Sequence, residues 1–227
     1  EADEIIGGYR FTRWSMATFH ENGQPYVNTE HLFDFSQKFL DEYFPYCIEM
    51  ARAFVQPKYQ SAQAGRKALF ALDNLWDGIG GLVATDPSVK YLSGKVTIYS
   101  SSPELSRKAM IYYLDKHFGD REGLITSKNP ERWTDEQEDY FNEMFNGANY
   151  KEDYQILNNY VKSFGDVIPP LIHSYIGLSE TMKTFGTTFD PDFGDCYDTA
   201  MIITIADIYK EKYDRYINSY FSEAEKA

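Results

Sequence analysis

The stretch between Pro45 and Tyr99 admits few folds. Pro45 cannot continue the amphipathic helix expected over Ser36 to Phe44, where Phe39, Leu40, Tyr43 and Phe44 recur at helical spacing behind a capping Ser36. Tyr46 to Val55 (YCIEMARAFV) is then short, apolar and closed by Gln56 and Pro57, which predicts a buried strand. From Ala64 to Thr85 the residues Leu69, Leu72, Leu75, Trp76, Ile79, Leu82 and Val83 keep the three-four spacing of a helix lying on a sheet. Val89 to Tyr99 (VKYLSGKVTIY) returns to strand character. The sequence therefore predicts a strand, helix, strand unit inside an α/β fold, an α+β mixed sheet, with residues 1–227 forming one domain.

The flanking elements follow from the same signals. Glu4 to Trp14 is aromatic and β-branched enough for a strand, so near the start that the fold's first elements are expected to be missing. Ser102-Pro103-Glu104 reads as a capping hydroxyl, a proline at the first helical position and an early acid, opening a helix to about Phe118. Residues 123–165 turn polar, acidic and rich in Asn and Tyr. They predict a helical insertion covering the core, with a capping box at Thr134 and Gln137 and a second helix near Tyr154 to Val161. Pro169-Pro170 is expected to open a helix to about Lys183, Asp190 to Asp195 to be a turn, Tyr197 to Ile208 a strand and Tyr209 to Phe221 a terminal helix.

A formal net charge of -13 argues against nucleic acid or an anionic membrane as a whole-surface partner. The two cysteines, Cys47 and Cys196, form no metal-like spacing and read as buried thiols in a reducing cytosol. No apolar run approaches the roughly 18 residues of a membrane helix, so the expected location is cytoplasmic or at the inner face of the membrane.

Two charges interrupt the apolar strand. Glu49, between Ile48 and Met50, is either a site residue or a structural acid whose hydrogen bonds are satisfied. Arg52 is its nearest candidate partner, but three positions along a regular strand put the two on opposite faces, so they meet only if the strand bulges between them. The polar, basic loop from Lys58 to Lys67 enters the next helix and has the form of a phosphate site or of an ordinary strand-to-helix turn. His20, His31, His117 and His173 sit outside any nucleophile motif and read as structural or surface residues. Asp190 and Asp192 read as a solvated turn, with contact to an incoming amine as the second reading.

These residues carry a resemblance. Strand, loop and helix look like the acyl-donor site of the GNAT superfamily, whose usual loop is [RQ]-x-x-G-x-[GA]. Gln60-Ser61-Ala62-Gln63-Ala64-Gly65 keeps its first and last positions but has Gln63 in place of the central glycine. More closely, Ile48 to Tyr59 (IEMARAFVQPKY) resembles the E-L-G-R-x-x-V-x-P-x-Y-R segment of the hemolysin-like, ornithine-lipid and glycine-lipid N-acyltransferases. It departs from that pattern at Met50, Ala51 and Gln60. The likeness continues through Leu75-Trp76-Asp77-Gly78-Ile79, Tyr91 to Val96, Leu171 to Tyr175 and Asp190 to Phe193, and Gly7-Gly8-Tyr9-Arg10 is similar to the family's early strand. LDNLWDGIG looks like the Bacteroidetes branch.

The resemblance implies transfer of a long, often 3-hydroxylated, acyl chain from acyl carrier protein to the amine of a small amino acid such as glycine or ornithine. The donor would be a phosphopantetheine thioester, with coenzyme A as the alternative to the carrier protein. Glu49 would be the base, and Arg52 would orient it or hold the acceptor's carboxylate, with Arg10 as the second candidate for that carboxylate. Met50, Ala51, Ala53, Phe54, Val55, Gln60, Ser61, Gly65, Arg66 and Tyr99 would line the donor site. Backbone N–H groups around Met50 to Ala53 would meet the thioester oxyanion where the two strands part. Trp76, Phe70 and Tyr99 are candidates for an acyl tunnel, or simply core. Lys58, Arg66, Lys67, Arg107 and Lys108 are the expected carrier-protein docking patch. Competing readings are an acyl-CoA-dependent enzyme acting on another amine, a non-catalytic lipid-interacting protein of hemolysin type, and a binding-only relic of the fold.

Overall fold

The computed structural model describes residues 4–60 and 66–224, with side chains described outside 66–72 and 222–224. Ser61 and Gly65, and the side chains of Arg66, Lys67 and Phe70, lie outside that set.

A mixed sheet in the order β1-β3-β4-β7-β6 forms the centre. Its strands are β1 (Gly7–Arg13), β3 (Cys47–Val55), β4 (Tyr91–Tyr99), β6 (Lys183–Asp190) and β7 (Cys196–Thr204). Only β3 and β4 run parallel, because the helix α2 (Arg66–Thr85) carries the chain back between them. Two three-residue strands, β2 (Phe33–Phe35) and β5 (Ile125–Ser127), pair separately.

Alternation along each strand divides the core in two. Ile48, Leu92, Val96, Ile98, Met201 and Ile203 pack under α2 and α3 (Glu104–Phe118). Cys47, Ala200 and Ile202 face the other way, onto an aromatic cluster of Trp14, Phe33, Phe35, Phe39 and Phe44. This second layer is built by the turn Trp14–Met16, by β2 and by α1 (Gln37–Glu42), whose N-cap is Ser36 as expected. Within 123–165 the capping box at Thr134 and Gln137 forms and opens α4 (Asp135–Met144). α5 (Tyr150–Ser163) docks Leu157 and Val161 into the α2 and α3 layer, while the segment's first element is β5 rather than a helix.

Three expectations are corrected. Pro103 occupies the N-cap of α3 and no side chain caps it, so Ser102 is not its cap. The helix after Pro169, α6 (Pro170–Ile176), stops at Gly177 rather than near Lys183, where β6 instead begins. Gly186 (φ 82°) there supports a register shift between Thr184 and Thr187, which hides the period-2 pattern of a strand. The terminal helix is broken into α7 (Lys210–Tyr213), a π turn over Asp214–Asn218 and α8 (Ser219–Ala224).

Candidate active site

β3 and β4 begin side by side and then part. Their register runs from Cys47 opposite Tyr91 to Met50 opposite Gly94 and ends there, although both strands continue for five more residues, to Val55 and Tyr99. β1 stays paired to β3 as far as Val55, so alternate residues of Ala51 to Val55 turn their N–H and C=O groups away from β1 into the open side. At the parting point a Cβ on Gly94 would stand 3.1 Å from the Met50 carbonyl oxygen and 3.5 Å from the Tyr175 hydroxyl. The absence of a side chain there lets α6 deliver Tyr175 to the fork, on the face opposite Glu49. Burial pushes the Tyr175 hydroxyl up to about 12, so it keeps its proton at neutral pH.

Glu49 is 2% exposed and faces the aromatic layer. Trp14 Nε1 (3.2 Å) and the backbone N–H of Asn28 (3.2 Å) donate to its Oε2, and the Thr29 hydroxyl donates to Oε1 at 2.5 Å. Three donors make a buried carboxylate tolerable. Two carboxylate oxygens offer about four lone-pair sites, so Oε1 keeps one for a proton or a water.

The strand does bulge. Gly8 faces Phe54 while Arg10 faces Ala51, so Arg52 and Ala53 together oppose Tyr9 alone. Arg52 sits in the left-handed region (φ 56°), a conformation costing a non-glycine residue about 1–2 kcal/mol. The bulge does not pair Arg52 with Glu49. Its guanidinium lies over the Phe193 ring, 4.6 Å from the centroid, and neither Arg52 nor Arg10 makes an ion pair among the described residues. The expectation that Arg52 orients Glu49 is therefore corrected: Trp14, Asn28 and Thr29 hold that carboxylate. Arg10, exposed on β1 opposite Ala51, stands on Glu49's face of the sheet.

The same face carries a polar cluster beyond the fork. Ser93 lies directly beside Glu49, and Lys95 pairs with buried Asp198 at 3.0 Å, which also accepts from the Thr97 hydroxyl at 2.7 Å. Asp190 is not in a solvated turn. It is 1% exposed, caps the turn Pro191–Phe193 by accepting from the Asp192 N–H (3.1 Å), and meets His31 Nε2 at 3.1 Å, whereas Asp192 is exposed. Cys47 is no nucleophile, since burial and then the Glu49 charge push its thiol well above the ordinary range. Cys196 is pushed up to about 11, chiefly by burial. Among the described residues no cluster of His, Cys, Asp and Glu could hold a metal.

The remaining sequence candidates are dispersed. Ala53, Phe54 and Tyr99 are exposed along the parted strands, while Gln60 folds its amide back onto the Val55 carbonyl at 2.5 Å. Trp76 is core, edge-on to Tyr175 at 5.6 Å. With Ile79, Val83, Leu92 and Tyr216 it lines a pocket of about 20 Å³, room for one water-sized occupant. Of the expected docking patch, Lys58 is engaged by Glu4, Lys108 by Glu104 (3.5 Å) and Glu131 (3.9 Å), and Arg107 lies over Tyr197 at 4.4 Å, while the side chains of Arg66 and Lys67 lie outside the described set.

Two sequence relatives bear on what this arrangement does. A glycine N(alpha)-acyltransferase of Phocaeicola vulgatus is 45% identical over 228 residues, covering 100% of this chain and 69% of the relative. The chain belongs to the glycine N(alpha)-acyltransferase family. A second protein of that name, from Bacteroides thetaiotaomicron, is 44% identical over 220 residues, covering 97% of this chain and 65% of its own length. No family model and no solved structure matches the chain.

Acyl transfer to an amine needs a base for the amine and a partner for the developing oxyanion. Sequence reasoning singled out Glu49 but not the groups that hold it, Trp14, Asn28 and Thr29, nor the nearby Lys95, Asp198 and Tyr175. Lys95 had a usable signal, being a charge inside an apolar strand with Ser93 and Thr97 two residues away on either side. Asn28 and Thr29 lie in an aperiodic segment and gave none. No helix among the described residues is long and apolar enough to cross a membrane.

Proposed function

We propose that this chain transfers a long, 3-hydroxylated acyl group from acyl carrier protein to the amine of glycine, on a GNAT-like fold, as a step in amino-acid lipid synthesis. The observation that carries the reading is the fork between β3 and β4, with Glu49 on one face of its apex and Tyr175 on the other. A thioester entering the fork from its open end would place its carbonyl between the two. Backbone N–H groups of the unpaired edge past Met50 would receive the oxyanion. Glu49, through its remaining acceptor site on Oε1, would take the amine's proton, and Tyr175 would give one to the leaving thiolate.

The names of the two relatives support glycine as acceptor. A small zwitterion needs a cation for its carboxylate, and Arg10 and Arg52 are guanidiniums that make no ion pair among the described residues. Support for a carrier protein rather than coenzyme A is the Gln63 substitution, since a carrier-bound pantetheine presents one phosphate and not a pyrophosphate. The test is to incubate the full-length protein with glycine and, in parallel, a 3-hydroxyacyl carrier protein or the matching coenzyme A thioester, and to measure N-acyl glycine. Product from the carrier-protein arm is expected. Preference for the coenzyme A thioester would overturn the donor, and transfer to ornithine but not glycine would overturn the acceptor.

Arg10→Gln is expected to raise the KM for glycine about tenfold, near 1.4 kcal/mol, with kcat unchanged, because the carboxylate contact is made equally in ground and transition states. An unchanged KM would return the carboxylate to Arg52.

A further inference from the structure

Glu49 and Asp190 are buried carboxylates on β3 and β6, separated by β4 and β7. A single short segment, Asn28 to His31, touches both. Asn28 and Thr29 donate to Glu49, while His31 Nδ1 meets the Asn28 carbonyl at 2.8 Å and His31 Nε2 meets Asp190 Oδ2 at 3.1 Å. Both partners of the ring are acceptors, so both ring nitrogens must donate for the two contacts to hold together. The other Asp190 oxygen caps the turn Pro191–Phe193, and Phe193 is the ring beneath the Arg52 guanidinium. Arg52 is three residues from Glu49 on the same strand, so the contacts close into a circuit.

From this circuit we infer that His31 and Asp190 are the positioning unit of the site. They pin the Asn28 to His31 strap so that its two donors meet Glu49, and through the 191–193 turn they set the platform on which Arg52 rests. The inference builds on the reading of Glu49 as the base. Its physical reason is that Glu49's donors sit in a loop with no ladder of its own. That loop needs an anchor, and a hydrogen-bonded pair to a buried carboxylate is a strong one. Losing His31 would leave Asp190 buried without that partner and release the His31 end of the strap, which then stays held at Glu30 by Lys128 and His20.

The experiment is a double-mutant cycle of His31→Ala with Glu49→Gln, read by kcat and KM for glycine, by thermal unfolding, and by the NMR position of the Trp14 indole N–H that donates to Glu49. His31→Ala alone is expected to lower kcat about ten- to a hundredfold, as misplacement of a reacting group does, with KM for glycine changed less than about twofold and the Trp14 resonance displaced. In the Glu49→Gln background the same change is expected to cost almost nothing more, because His31 acts only through Glu49. His31→Gln, which can still donate to Asp190, is expected to recover part of the rate. Full kcat in a folded His31→Ala variant, or losses that multiply in the double variant, would overturn the inference while leaving the acylation reading intact. Displacement of the Trp14 resonance in a protein that acylates no amine would instead sustain the positioning chain and overturn the activity.

Discussion

Glu49→Gln is expected to lower kcat by about two to four powers of ten, the range for loss of a positioned base, with the folded structure retained. Glutamine keeps the shape of the side chain and can keep its partners. Its carbonyl oxygen, placed where Oε2 stands, would still accept from Trp14 Nε1 and the Asn28 N–H, and its NH₂ would donate to a reoriented Thr29 hydroxyl. What it cannot do is accept a proton. Steady-state kinetics beside a thermal melt separates the two roles. Unchanged melting with a collapsed rate supports the base assignment. Undiminished turnover would make Glu49 a structural acid and move the base elsewhere, with Asp198 the next carboxylate to test on that face.

The second large effect concerns stability. Gly80 lies on α2 where the C-terminal π turn crosses, and a Cβ there would stand 1.7 Å from the Tyr216 carbonyl oxygen and 2.5 Å from its carbon. Both atoms are backbone, so no rotamer relieves the overlap, and helix and turn must separate. Gly80→Ala is expected to cost about 3 kcal/mol, the upper end for overpacking. For a chain of this size that lowers Tm by roughly 6–12 °C. Gly81→Ala is the internal control. Its Cβ would meet the Tyr220 ring at 3.2 Å, a side chain that can swing aside, so its cost should stay below about 1 kcal/mol, partly offset by alanine's better helix propensity. Differential scanning calorimetry of the two variants decides the matter. Equal, small shifts would mean that the C-terminal segment does not pack on α2 as described.

The two glycines also show how the fold serves the site. α2 links β3 to β4 and is held from behind by Tyr216 and Ile217. That contact steadies the crossover that keeps β3 and β4 parallel at their roots.

Periodicity was enough for elements that bury one continuous face. β3, α2 and β4 appear close to where their apolar spacing places them, as does the capping box at Thr134, because each signal is local: residues within one or two turns decide it. β6 was not legible for an equally local reason. Gly186 at positive φ breaks the alternation of KTFGTTFD, so residues 184–189 show no strand period and fall between the helix expected to about Lys183 and the turn expected from Asp190. β2 and β5 are three residues each and carry too little pattern to stand out.

Residue chemistry identified Glu49 as a carboxylate that an apolar strand would not hold without a reason. What satisfies it could not be read from the chain, because its donors come from Trp14, Asn28 and Thr29, between 20 and 35 residues away through loops without periodicity. The partner of Asp190 is 159 residues away. The bulge at Arg52 was expected as the condition for pairing it with Glu49. Folding supplied the bulge and gave Arg52 to Phe193 instead. The sequence alone thus settles which strand carries the buried acid, since burial of a charge is a property of its immediate neighbours. Only the tertiary structure decides who orients that acid, because hydrogen-bond geometry depends on where distant loops come to rest.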